Sequence, residues 1–300
     1  MGNGEIKSPT FRSGIVTIIG ATNAGKSTLV NALVDMPVSV VSDKPQTTRL
    51  RTVGILNLPH AQILLQDTPG ITNPRILFEE KLVNLALESL KGSDVILFLL
   101  DATQGFREWE NMILQHLKKV SLPTILAINK NDLVSRERIE ELTSQARTLY
   151  PFHAILSISA LLKVNLSDLI PLILDLLPPG VPYYPEGMTS NLPENLQVAE
   201  FIREKILAHT YDEIPYSTAV VVEEIRKEGK PVYISAIIYV EEPSQKKIVI
   251  GEKGKMLKLI GTESRKQLEQ YYQKPVFLDL WVKVKKKWRR KEDFLKTLGY

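Results

Sequence analysis

Near the N-terminus, Gly20-Ala21-Thr22-Asn23-Ala24-Gly25-Lys26-Ser27 reads G-x-x-x-x-G-K-S, the spacing of a phosphate-binding loop. Each residue type answers a chemical need. Gly20 and Gly25 let the backbone turn tightly and approach phosphate closely. The loop's N–H groups, and the dipole of a helix opening at Thr28, face an anion. The Lys26 ammonium places a point charge at the β- and γ-phosphates, and the Ser27 hydroxyl suits Mg2+.

Further along, Asp67-Thr68-Pro69-Gly70 stands 41 residues after Lys26. A carboxylate there holds Mg2+ through water, and Gly70 leaves a backbone N–H to meet a γ-phosphate. Between the two motifs lies Pro45-Gln46-Thr47-Thr48-Arg49. A threonine such as Thr48 can donate its oxygen to Mg2+ when the γ-phosphate is present, which would make the segment a switch; a polar surface loop is the plainer alternative. Asn129-Lys130-Asn131-Asp132 offers a carboxylate, Asp132, for guanine's N1–H and exocyclic amine, a donor pair that adenine lacks. Asn129 is expected to tie this loop to the phosphate loop, and the Lys130 stem to lie over the base. Ser159-Ala160-Leu161 supplies a backbone N–H for the guanine oxygen.

These motifs need elements to hold them in place. Short apolar runs at Gly14–Ile19, Thr52–Leu58, Ala61–Gln66, Asp94–Leu100, Thr124–Ile128 and Ala154–Ile158 read as strands. Helical patterns at 77–91, 108–118, 135–149 and 166–177 alternate with them. Such alternation predicts a mostly parallel sheet covered on both faces, with ligands at the carboxyl ends of its strands. The turn at Asn57-Leu58-Pro59-His60 predicts a hairpin between the second and third strands.

The chain's 300 residues carry a formal charge of +4 and no cysteine. Disulfides and thiolate metal sites are therefore excluded, in keeping with a cytoplasmic protein. No signal peptide or membrane-spanning stretch is expected. The charge is uneven. From Gln245 onward sixteen Lys/Arg face six Asp/Glu, an excess of +10 that leaves −6 on the remainder. A basic end on a mildly acidic body fits a polyanionic partner.

Residues 178–193 contain five prolines and read as a linker. After them come a helical pattern at 194–209, strands at 217–224 and 232–240, Gly251-Glu252-Lys253-Gly254, a helix at 255–272 and a strand at 276–284. That order fits an RNA-binding KH module of prokaryotic topology, whose G-x-x-G loop clamps about four nucleotides of single-stranded backbone. Lys253 and Lys255 add charge. In the basic run after the last strand, Lys285, Lys287, Arg289 and Arg290 are expected at phosphates. Trp288 could stack on a base, though packing onto its own domain is favoured. The four histidines have no ligand spacing.

The phosphate loop, Thr48, D-x-x-G, N-K-x-D and S-A-L, followed by a Pro-rich stretch and a KH module ending in W-V-K-V and W-R-R, resemble the bacterial Era-type GTPases from about residue 13 onward. The resemblance implies a GTPase domain at 13–177 after a flexible tail at 1–12, and an α+β KH domain at 194–300. In it, Gly20 to Thr28, Asp67 to Ile71, Asn129, Lys130, Asp132 and Ser159 to Leu161 would hold GTP or GDP. Lys26, Thr48, Asp67 and Gly70 would serve hydrolysis. Ser27 and Thr48 would ligate Mg2+ directly and Asp67 through water, while Asn23 would help hold K+. Ras-like GTPases carry a water-orienting glutamine after D-x-x-G; Ile71 stands there instead, so unaided hydrolysis is expected to be slow. The phosphate loop departs modestly, with Thr22 and Ala24 where the family usually has Pro and Val. The resemblance further implies a monomeric, cytoplasmic protein, sometimes at the inner membrane face. It would bind single-stranded ribosomal RNA near the 3′ end and act in small ribosomal subunit maturation. An RNA-binding assembly factor that only senses guanine nucleotide is the alternative.

Overall fold

The computed structural model describes residues 10–41, 52–70 and 86–298, which divide into two compact units, the first of residues 10–39, 52–70 and 86–191 and the second of residues 40–41 and 192–298. The first unit is built on strands β1 (Arg12–Ile19), β2 (Thr52–Leu58), β3 (Ala61–Asp67), β4 (Val95–Asp101), β5 (Thr124–Asn129) and β6 (Ala154–Ser157). They form one sheet in the order β2-β3-β1-β4-β5-β6. Only β2 and β3 run antiparallel, as the turn between them requires; every other pair is parallel. Both faces of the sheet are covered, so every residue of β3 and β5 is buried, including the polar Gln62, Gln66 and Asp67 of β3.

Helices α1 (Lys26–Val34), α2 (Glu108–Val120), α3 (Arg136–Leu149) and α4 (Leu166–Leu176) supply the cover. One core layer joins Val16, Leu65 and Leu97 to Leu29 of α1 and Leu169 of α4. The other joins Phe98, Leu100 and Ile128 to Leu117 of α2 and Leu142 of α3. Two buried layers fix the sheet from both sides, so the loops at its carboxyl end hang from a rigid frame.

The Pro-rich stretch, expected as a linker, is hydrogen-bonded along the first unit. Its start pairs with β1 through Ser13 N–H to the Pro178 carbonyl and Gly180 N–H to the Phe11 carbonyl. The Gln62 side chain of β3 accepts from the Tyr183 and Tyr184 N–H groups and donates to the Tyr184 carbonyl. Its end pairs with β2: Ile55 N–H donates to the Thr189 carbonyl, and Asn191 N–H to the Val53 carbonyl.

The second unit opens with α5 (Glu194–His209), then β7 (Ala219–Arg226), β8 (Val232–Val240), α6 (Pro243–Ile250), α7 (Lys255–Tyr272), β9 (Val276–Val284) and α8 (Glu292–Thr297). Its sheet runs β7-β8-β9, with β7 antiparallel and β9 parallel to β8. Phe201 and Ile202 of α5 and Ile260 and Leu268 of α7 pack on Ile234, Ala236 and Ile238. The apolar run Ile248-Val249-Ile250 ends helix α6. Pro243 at the first turn and the reciprocal Glu242–Gln245 cap start that helix.

Trp288 packs, as favoured from sequence, at 2% exposure. Its Nε1–H donates to the Ser217 carbonyl at 2.8 Å, and its ring meets Phe294 edge-on beside Ala219 and Leu298. Trp288→Ala is expected to cost about 3–5 kcal/mol. The check is chemical denaturation followed by hydrogen exchange across residues 213–298, with protection elsewhere in the chain unchanged.

Candidate functional site

The sequence motifs converge at the carboxyl edge of the six-stranded sheet. The phosphate loop follows β1, Asp67 ends β3, Asn129 ends β5, and Ser159 follows β6. Gly25 precedes α1 at φ +96°, and a Cβ there would lie 2.4 Å from Asn129 Nδ2, so only glycine fits. No side chain caps the N-terminus of α1, which directs its first N–H groups toward an anion. Asn23 also takes a left-handed conformation, at φ 63°.

Lys26 is only 6% exposed, and its Nζ donates to the Gly20 and Ala21 carbonyls at 3.1 and 2.8 Å. Burial lowers its pKa to about 8, against an opposing pull from the Asp67 carboxylate. A phosphate beside it would favour the charged form, so anion binding and protonation of Lys26 are coupled. Ser27 Oγ donates to Asp67 Oδ2 at 2.7 Å. Two hard oxygens meeting at the loop fit Mg2+, which takes few protein ligands and completes its shell with water and phosphate. Among the described residues no group of three or more His, Asp or Glu could hold a metal by itself.

Asn129 connects three loops. Its Nδ2 donates to the Ala24 carbonyl at 2.8 Å and its Oδ1 accepts from Ala160 N–H at 2.9 Å. The first bond is the expected tie to the phosphate loop. The second takes up Ala160 N–H, the group anticipated at a guanine oxygen. The Thr68 hydroxyl turns inward to the Ile18 carbonyl at full burial. Lys130 adopts φ 65° and its Nζ meets Asp101 Oδ2 at 2.7 Å. Asp101 was missed from sequence, although it is a carboxylate ending a strand on the ligand side of a parallel sheet. Asp132 lies exposed in the short turn Asn131–Leu133, and Leu161 is exposed on the neighbouring loop. Thr48 and Ile71 fall outside the described residues.

In the second unit, Gly251-Glu252-Lys253-Gly254 forms a single 3-10 turn joining α6 to α7, with Gly254 at φ +78° and open space around its Cβ direction. Helix α7 returns into β9 through a short turn and lies beside it, Gly261 against Leu280. The G-x-x-G end of the helix therefore points toward the end of β9 from which the basic run departs. Between helix and strand lies a groove of about 480 Å3, lined by Gly254, Lys258, Gly261 and Arg265 on one side and by Phe277, Leu278 and Leu280 on the other. Glu252, Lys253, Lys255, Lys287 and Arg290 are exposed. Lys285 and Arg289 are engaged within the unit. Lys285 Nζ sits 3.7 Å from the Phe294 ring centroid, and Arg289 pairs with Glu241. Lys258 and Arg265 were missed from sequence because they face the groove only once α7 is folded.

The sheet, the phosphate loop and the loops after β5 and β6 define a P-loop GTPase unit, and the G-x-x-G turn with its groove defines a KH unit. Residues 15–130 match the family described as 50S ribosome-binding GTPase, and residues 213–289 match the KH domain family. The GTPase Era of Geotalea daltonii is 44% identical over 97% of this chain and 98% of its own length. That of Carboxydothermus hydrogenoformans is 43% identical over 97% and 98%. A crystal structure of Era with MgGDPNP and nucleotides 1506–1542 of 16S ribosomal RNA is 40% identical, with a TM-score of 0.88 over 97% of this chain and 99% of that one. A single-substitution variant of Aquifex aeolicus Era bound to GDP·AlF4− gives a TM-score of 0.89 at 40% identity over the same shares. The chain belongs to the Era GTPase family.

Asn129→Ala would leave the buried Ala24 carbonyl and Ala160 N–H without their partner. It is expected to destabilise the nucleotide-free protein by roughly 2–4 kcal/mol. A lowered denaturant midpoint for the first unit, with that of the second unchanged, is the readout.

Proposed function

We propose that this chain binds and hydrolyses GTP and, through its KH unit, binds single-stranded RNA at the 3′ end of small-subunit ribosomal RNA, acting in assembly of that subunit. The observation that carries the reading is one chain holding both the Asn129-linked nucleotide loops and the basic G-x-x-G groove. The relative of known structure that holds MgGDPNP and a 16S ribosomal RNA segment together supports it.

In this reading the phosphate loop and Lys26 bind the β- and γ-phosphates and orient the γ-phosphate for in-line attack by water. Ser27, and Asp67 through water, would hold Mg2+, which would supply positive charge beside the phosphate oxygens. Gly70 N–H meets the γ-phosphate. Asp132 accepts from the guanine N1–H and amine, and Lys130, fixed by Asp101, lies along the base. Asn23, at its left-handed position in the loop, would help hold K+, which would supply there the positive charge that an arginine supplies elsewhere. Gly251 to Gly254, with Lys253, Lys255, Lys287 and Arg290, contact the RNA backbone. Among the described residues no helix is long and apolar enough to cross a membrane; the proposal places the protein in the cytoplasm, with any contact at the inner membrane face peripheral.

Steady-state GTP hydrolysis in K+ and then in Na+, with and without a short RNA of the ribosomal 3′-end sequence, tests the whole reading. Turnover is expected to rise with K+ and with RNA. Tight binding of GTP and RNA with no turnover under any condition would instead establish a nucleotide sensor. Asp132→Asn removes the acceptor for two guanine donors and should weaken GDP binding by roughly 100-fold or more. A fluorescent-nucleotide titration reads that loss.

A further inference from the structure

Strand β9 is an edge of the KH sheet, and its alternate residues serve different surroundings. Val276 and Val282 are buried, whereas Phe277, Trp281 and Lys283 point outward, the two rings 56% and 58% exposed. The β8–β9 register sets Tyr233 opposite Phe277. Their rings stack at 5.8 Å with only 11° between planes, and the Arg226 guanidinium of β7 lies 4.3 Å from the Tyr233 centroid. Arg226 is itself held by Glu224 at 3.0 Å. The Trp281 indole is fixed by its Nε1–H to Asp279 Oδ2, also at 3.0 Å. The C-terminal helix packs over Ala219, Val221 and Tyr239 of the sheet and leaves Phe277 and Trp281 in solvent.

Large rings that stay exposed while held in one orientation mark a recognition surface more than a packing remnant. Phe277 belongs both to this face and to the rim of the groove. A strand lying in the groove can therefore pass from it to the outward face without a break. Phe277 and Trp281, four residues apart along the strand, are separated by about 13 Å. Bases of any identity stack on such rings, and a nearby Arg or Lys adds attraction.

We propose that the outward face of β9 is a second RNA-binding surface, on which nucleotides leaving the groove stack on the Phe277–Tyr233 pair and on Trp281. The proposal rests on the reading of the second unit as a single-stranded RNA binder. A lipid surface fits less well. The carboxylates of Asp279 and Glu224 lie within the face and would be desolvated against hydrocarbon, whereas stacked bases leave them in water.

The test uses the full chain, an RNA of about four nucleotides that fills the groove, and one of about ten that extends beyond it. Trp281→Ala is the decisive variant because Trp281 does not line the groove. It is expected to weaken the long RNA about tenfold and leave the short one within about twofold. Trp281→Phe, which keeps a ring, restores the long-RNA affinity, and Trp281→Leu, which keeps only apolar bulk, does not. Wild-type tryptophan fluorescence should be quenched by the long RNA and not the short, and the quenching should vanish in Trp281→Phe. Unchanged long-RNA binding by Trp281→Ala overturns the platform. So does a defect confined to vesicles of phosphatidylcholine and phosphatidylglycerol. If the wild-type chain binds neither RNA, and Lys253→Asp changes nothing, the RNA reading itself falls and the platform with it; short-RNA binding with no gain for the long RNA overturns the platform alone.

Discussion

The Asn129 carboxamide is the interaction on which the nucleotide site depends. Parallel strands end in loops that have no reason of their own to meet, since each belongs to a different crossover. One planar group with a donor and an acceptor on opposite arms links the loop after β1 to the loop after β6, while its own backbone stands on β5. All three positions are buried, so neither bond competes with water, and losing either would strand a polar group at a cost above its net worth when made. Lys130 follows directly and takes a left-handed backbone that a lysine adopts only under constraint. Asp101 supplies part of that constraint from the next strand.

The second unit solves a different problem. A groove for a single strand must be open, yet its walls must not collapse. Gly261 of α7 faces Leu280 of β9, where the lack of a side chain leaves room between helix and strand, and residues from Gly254 to Arg265 line the groove beside them. The far side of the sheet is steadied by the small cluster around Trp288 and Phe294, and Lys285 contributes its charge to that cluster by lying against the aromatic ring.

Much of this was legible in the chain. The strand ends, the helix at 255–272 and the order of the nucleotide motifs follow from apolar runs and from spacing that phosphate chemistry demands. What stayed hidden depends on partners distant in sequence. Nothing around Asp101 announces that it will meet Lys130, 29 residues later. Lys285 and Arg289 read as free charge because a basic run carries no record of Phe294 or Glu241 beside it. The prolines after Leu177 exclude a helix or a central strand, but composition does not say where that backbone's hydrogen bonds go.

Those bonds bear on how the first unit behaves in a crowded solution. Strand β2 is the margin of its sheet, and the N–H of Ile55 and carbonyl of Val53 would otherwise offer a template to any extended peptide. Thr189 and Asn191 occupy those positions instead. A fragment cut at the end of α4 would keep every nucleotide motif and yet bare a sticky margin, inviting strand-to-strand self-association; a fragment carried on to Asn191 keeps that margin closed.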